Sequence, residues 1–428
     1  MRKFWKSLSV FGLCAMLLAG TGADCESGGM NMDDMMMDGP SGDDGGDNSA
    51  FGAILNLIRI HVQGRIAVGD DVIVYTAADA DGSETTVDYV VPSQGDTVGR
   101  GIPNAADYDP NSFAASGKKI LLMGGPEGSH AVSVYDTSDG SLVNIPRADI
   151  FLSTIPVSNY GPGFLEVDGN LIATINQSGF AGATGDELIR VIDISGANPT
   201  VTKFTVNPDN NNTLTPTQAL IDAETRTVVA TRFIPNKFWV YDLDNPTAAP
   251  TEFDFSATGP TIITDDTPFA YDNGMLVFIG RDGNQEFAYY LDVTDPNNVP
   301  VKIEGTDGGA FRPKLVGGRY AFVNNGPAAN GVIPNAVAET GNGDGTTLTY
   351  GMLGATPVWI VGGQDNVNGG NPLQYSPGGG VWMDVPDPRD LTVTLLATDV
   401  TTDQSGTYLG FKFEDENDNQ FLGYAILN

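Results

Sequence analysis

The chain has 428 residues and carries 21 Lys+Arg against 54 Asp+Glu, a formal net charge of −33. Its 54 Gly and 26 Pro make up nearly one residue in five while 41% of residues are apolar, which excludes a coiled coil, a helical bundle and a fully disordered chain. The acidic balance argues against a protein that grips nucleic-acid phosphates, and two His with two Cys are too few for a zinc centre, a haem pocket or a disulfide framework.

Residues 1–23 read as a secretory signal. Arg2, Lys3 and Lys6 open it, an apolar stretch runs from Leu8 to Leu18, and Thr21, Gly22 and Ala23 offer a small-residue cleavage site. Cleavage there leaves Cys25 alone. A lipid anchor on Cys25 is the minority reading, because Gly22-Ala23-Asp24 departs from the usual Leu-Ala-Gly pattern. No later segment approaches the ~20 apolar residues of a membrane-spanning helix, so no transmembrane segment is expected in the mature chain.

Residues 24–50 form an acidic tail rich in Met, Asp and Gly, without a positive charge. It offers too little hydrophobic variety to close a core, and the expectation is a disordered spacer. Met30, Met32, Met35, Met36 and Met37 supply soft thioethers that suit Cu(I), which makes a copper-collecting arm the competing reading.

From residue 51 the chain repeats. An apolar strand ends in Asp and runs into a turn at Asp136, Asp193, Asp242, Asp292 and Asp384, with steps of 57, 49, 50 and 92 residues. A tight turn stands upstream in each unit, at Gly69–Asp71, Ser116–Lys118, Asp168–Asn170, Glu224–Arg226, Asp272–Gly274, Gly317–Gly318 and Ser405–Thr407. Pro110, Pro162, Pro216, Pro268 and Pro313 open five units, at a place where a strand can lack its ladder N–H. This period, with four short strands per unit, predicts an all-β fold: a seven-bladed β-propeller of four-stranded antiparallel blades over 51–428. The last unit stops after its third strand. Its missing strand is expected from the N-terminal end near Gly52–Ile58, which removes a free edge. The long step before Asp384 reads as an insertion in the sixth blade, over 324–378, folded across one face.

These strand-Asp-x-x-x-Pro copies, above all Leu291 to Ile303, resemble the repeats of secreted bacterial β-propellers of the LVIVD type. The resemblance covers most of 61–428 and implies an extracellular or cell-surface scaffold. It transfers no catalytic residue, since the shared Asp marks a turn.

Loops joining second to third strands, and fourth strands to the next blade, share the face where propeller function commonly gathers. They carry many carboxylates, which are either solvated hairpin tips or a surface for a cation or a basic partner. Asp79, Asp81 and Glu84 resemble half a calcium loop and, with Asp282, are the candidate Ca²⁺ ligands. Asp265, Asp266 and Arg312 are expected near the channel mouth, and Tyr350, Trp359 and Tyr375 are a candidate aromatic platform for sugar or peptide. His61 lies in an apolar run, His130 borders a hairpin, and no nucleophile elbow or phosphate-cradling loop appears. The reading is an exported acidic propeller that binds a protein or glycan ligand as an interaction scaffold, without nucleic acid. The alternative is a propeller hydrolase or lyase using carboxylates or a bound divalent metal at the channel mouth.

Overall fold

The computed structural model describes residues 55–427, apart from 60–63, 79–84, 97, 125–130, 151–164, 176–188, 205–215, 233–236, 256, 258, 263–268, 307–309, 325–326, 334–338, 345–346, 363, 366–368, 378–381, 388–389, 398 and 415–419. The chain is an all-β propeller of antiparallel four-stranded sheets. The first blade runs Ile66–Gly69, Val72–Ala78, Thr85–Val90, Arg100–Gly101, each strand pairing the next. Sheets over 113–144, 165–203, 216–254, 310–344 and 347–384 repeat this order, and one over 399–426 takes Leu55–Arg59 as its outer strand. These are the seven four-stranded blades. One more sheet of the ring, over 261–302, has five strands, because Thr261–Ile262 and Ala270–Asp272 both pair with Met275–Asp282 and together fill its innermost position. The first strands of successive sheets touch in turn around a closed ring. The ring therefore consists of the seven four-stranded blades expected from the sequence and this five-stranded sheet, and its members are numbered one to eight in chain order with the five-stranded sheet as the fifth.

Strand periodicity explains the core. Successive side chains point to opposite faces, so a blade buried on both sides needs apolar residues at nearly every position of its middle strands. Leu121 packs toward the third blade and Leu122 toward the first. Each of the eight boundaries between neighbouring sheets has its own apolar cluster. Among the described residues, the cluster between the sixth and seventh blades is the smallest, Ala321, Leu348, Trp359 and Val361. Closure follows the expected route, with Leu55–Arg59 pairing antiparallel to Gln420–Ile426. Helix among the described residues amounts to the turn Arg147–Ile150 and two short 3-10 segments.

The recurrent Asp has one physical role in the second to fifth blades. Asp136, Asp193, Asp242 and Asp292 each end a third strand, opposite the first residue of the second strand. Each Oδ1 accepts the N–H two residues on, from Ser138 (2.9 Å), Ser195 (2.8 Å), Asp244 (2.8 Å) and Thr294 (2.9 Å). The side chain thereby makes the turn. Val332 holds that register position in the sixth blade and Ile426 in the eighth, so the marker is missing from both. Asp384 is no copy of it. That residue lies on an outermost strand, where its carboxylate accepts from Gln374 Nε2 (2.6 Å) and Thr394 Oγ1 (3.2 Å).

The segment 324–378 corrects the expectation of an inserted flap. Pro327–Val332 and Glu339–Asp344 complete the sixth sheet, and Thr347–Leu353, Thr356–Gly362 and Gln374–Ser376 begin the seventh. A Gly- and Asn-rich composition masked a blade because backbone pairing does not need apolar side chains on the outer strands.

Candidate functional site

The candidate residues fall into three groups. Asp79, Asp81, Glu84, Asp265 and Asp266 lie outside the described residues, as do His61 and His130. Asp282 is exposed at the end of Met275–Asp282, paired in register with Gln285 across a two-residue turn. The neighbouring pair Arg281–Glu286 is joined at 2.6 Å on the same hairpin. Arg312 lies on Ala310–Val316, the innermost strand of the sixth blade. Among the described residues, no three Asp, Glu, His or Cys side chains converge as a metal cage.

The three aromatic residues do not share a surface. Trp359 is fully buried between the sixth and seventh blades, where Tyr350 meets it edge-on at 5.5 Å and gives its hydroxyl proton to Met352 Sδ at 3.1 Å. Tyr375 pairs in register with Ile360 and packs toward the eighth blade, on the other face of the same sheet. The period-two alternation of the strand separates them. Burial pushes the Tyr375 hydroxyl above its ordinary range, as it does for a packed phenol.

What the ring brings together is a set of charges on its innermost strands. Glu166 and Lys314 are each the third residue before the tight turn, in the third and sixth blades, so they stand at the same depth on opposite parts of the channel wall. Lys314 is exposed although it sits on an innermost strand, so its side chain faces the lumen. Arg65 lies two residues deeper in the first blade, its guanidinium 6.0 Å from the Phe113 ring centre. Asp399 begins the innermost strand of the eighth blade and meets Lys412 Nζ at 3.5 Å. Lys412 also donates to Gly64 O at 2.6 Å.

Desolvation dominates the electrostatics here. Burial pushes the Glu166 carboxyl up, and Lys314 and Arg65 only partly offset it, while Asp168 adds repulsion. The Arg65 guanidinium is lowered by burial against the opposing pull of Glu166 and Asp399. A carboxyl whose affinity for its proton is raised by desolvation is better suited to a hydrogen-bond donor or general-acid role than an ordinary surface carboxylate. Sequence reasoning passed over Glu166 and Lys314. The available signal was a lone charge inside an apolar innermost strand, Leu165-Glu166-Val167 and Pro313-Lys314-Leu315.

No family model matches the sequence, and no curated relative does. Solved structures share its fold. A Dos1 propeller matches with a TM-score of 0.53 at 10% identity, over 86% of this chain and 95% of that one. The Cps50 (Swd1) propeller domain of Myceliophteria thermophila matches at 0.44 and 11%, over 87% and 99%. BamB from Moraxella catarrhalis matches at 0.39 and 10%, over 84% and 85%. At these identities the first likeness speaks for the fold alone, and a fold hosts many functions. No helix among the described residues is long and apolar enough to cross a membrane.

Proposed function

We propose that the chain is an exported acidic β-propeller that acts as a binding scaffold at the cell surface, in the periplasm or outside the cell, taking a protein or glycan ligand. One observation carries the reading. The residue type that recurs most visibly, the Asp ending the third strand of the second to fifth blades, is occupied in forming its own turn in all four. The repeats thus serve a rigid closed frame, and the large surplus of carboxylates is left to set the character of the surface. The signal-like start and the resemblance to LVIVD-type secreted propellers support the location. Ca²⁺ at Asp79, Asp81, Glu84 and Asp282 belongs to the same proposal as an accessory ligand, while Cu(I) on the Met-rich tail stays a competing reading that truncation of residues 24–50 tests.

The test has two parts. Mass spectrometry of the chain recovered from culture medium and cell envelope reads whether residues 1–23 are removed. Titration with a lysine-rich peptide at low and high salt then reads the surface, where binding that weakens with salt supports an acidic docking face. Intact residues 1–23 inside the cell, or no binding at low salt, sinks the reading. A melt with EDTA and with added Ca²⁺ reads the cation, since a ligand at a hundredfold excess over its Kd adds ~2.7 kcal/mol of stability.

A propeller hydrolase or lyase is the second reading, and Glu166 favours it. A half-buried carboxyl pushed up by desolvation, level with a lumenal Lys314, has the attributes of a general acid. Turnover of any glycan or ester substrate that disappears in Glu166→Gln would move the assignment from scaffold to enzyme.

A further inference from the structure

The boundary between the sixth and seventh blades holds two buried N–H donors without an acceptor. They are Arg319 Nε and Trp382 Nε1, and they are the only side-chain nitrogen or oxygen atoms of this kind among the described residues. Both belong to one locality. Arg319 begins the second strand of the sixth blade and shares a face with Ala321, two residues on, which is part of the cluster at this boundary. Trp382 packs against that same cluster from the outer part of the seventh blade. Arg319 Nη2 reaches Pro377 O, on the seventh blade, at 3.3 Å, so the guanidinium extends across this boundary.

The equivalent position in another blade shows what a satisfied cation looks like here. Lys119 also begins a second strand, pairing with Ser116 as Arg319 pairs with Val316. Its Nζ donates to Ile194 O (2.6 Å) and Gly196 O (2.7 Å) and approaches Ser195 O (3.4 Å), all on the adjoining blade's turn. The fold therefore places a cation under the neighbouring turn at both boundaries. At the second boundary the cation saturates itself on carbonyls; at the sixth it keeps an N–H free, with no ion pair among the described residues.

We propose that Arg319 and Trp382 form a binding site for a carboxylate. A buried donor left unpaired is costly, and more so on a charged group, so its persistence fits an acceptor supplied by a ligand. The guanidinium edge that carries Nε matches the two oxygens of a carboxylate, and the indole N–H supplies one further neutral donor. This site is separate from the lumenal charges and does not depend on the scaffold reading.

The indole N–H of Trp382 is its own reporter. The full chain, labelled with ¹⁵N-tryptophan, is titrated with sodium acetate against sodium chloride at matched ionic strength. The expected result is a saturable downfield shift of the Trp382 indole proton with acetate only, while the Trp239 indole, which already donates to Glu252 Oε2 at 3.2 Å, stays in place. Arg319→Met abolishes the saturable shift. An acetylated Asp-Glu dipeptide amide that saturates at lower concentration identifies the carboxylate source as an acidic peptide, and equal or weaker response identifies a free small acid. A Trp382 shift no larger with acetate than with chloride, or unchanged in Arg319→Met, overturns the proposal. Should Arg319→Met lose the dispersed Trp239 signal and so fail to fold, Trp382→Phe replaces it. That variant must lose most of the acetate-dependent rise in melting temperature that the native chain shows, and retention of the full rise overturns the site.

Discussion

Asp222 Oδ2 accepts the backbone N–H of Gly274 at 2.9 Å, across the boundary between the fourth and fifth blades. Its other oxygen accepts the N–H groups of Glu224 (2.9 Å) and Thr225 (3.1 Å) within its own turn. The arrangement repeats around the ring, with Asp168 accepting from Ala223 (2.5 Å) and Asp272 from Gly317 (2.7 Å), while the Ser116 hydroxyl donates to Gly169 O. Asn273 and Gly274 both adopt positive φ, 49° and 74°, as a primed hairpin turn requires. A Cβ on Gly274 would stand 2.7 Å from Thr294 Cγ2, so only glycine fits there. Turns that look like isolated hairpin tips in the sequence are thus the clasps that join one blade to the next.

Asp222→Ala tests the clasp. The carboxylate is 1% exposed and leaves three N–H groups without their acceptor when removed. The expected loss is roughly 3 kcal/mol in urea unfolding, from charge-assisted bonds worth about 1.5–3 kcal/mol each with partial relaxation. Asp292→Ala, which removes two bonds from Thr294 within its own turn on a half-exposed group and none to the next blade, is expected to cost about 1 kcal/mol. Equal losses for the two would show that the contact between blades contributes nothing.

Lys119→Met keeps the aliphatic stem and deletes the ammonium that bridges to Ile194 and Gly196. Carbonyls left facing a methyl group lose charge-assisted bonds, and a destabilisation of about 1–2 kcal/mol is expected in the same assay. A variant as stable as the native chain would assign those carbonyls to solvent.

Glu166 governs a pH dependence whose sign follows from its raised pKa. The folded state holds the proton more tightly than the unfolded chain, so this group's contribution is fully present below the ordinary carboxylate range. It is lost as pH rises through the folded value. Glu166→Gln is therefore expected to melt higher than the native chain at pH 7, with the difference closing toward pH 4. A gap that stays constant with pH, or widens on acidification, contradicts an upward shift at Glu166.

Removal of residues 1–59 deletes the outer strand that pairs with Gln420–Ile426. The exposed edge then offers unpaired N–H and C=O groups to another chain. A lower melting temperature and concentration-dependent light scattering are expected. A truncated chain that stays monodisperse and melts as before would mean that the closing strand is dispensable.

Much of this fold was legible in residue order, because its signals are local. Tight turns at Ser116–Lys118, Asp168–Asn170 and Asp272–Gly274 and strands ending in Asp are set by the conformational needs of a few adjacent residues. They give the propeller, its antiparallel blades and even the donor of the closing strand. The sheet over 347–384 was read as an insertion because its signals failed locally. Val332 and Ile426 replace the marker Asp, and Asp384 mimics it on the wrong strand.

The sites divide in the same way. By itself the sequence determined which residues make turns and which alternate into a core, since both depend on neighbours a few positions away. Only the tertiary structure decided that Tyr350 and Tyr375 lie on opposite faces of one blade, and that Glu166 stands level with Lys314 across a channel. It alone left Arg319 and Trp382 with donors to spare at one boundary. These relationships join residues up to 148 positions apart in the chain. Their geometry is set by how eight sheets close into a ring, a constraint that acts on the ring as a whole and leaves no mark on any short stretch of sequence.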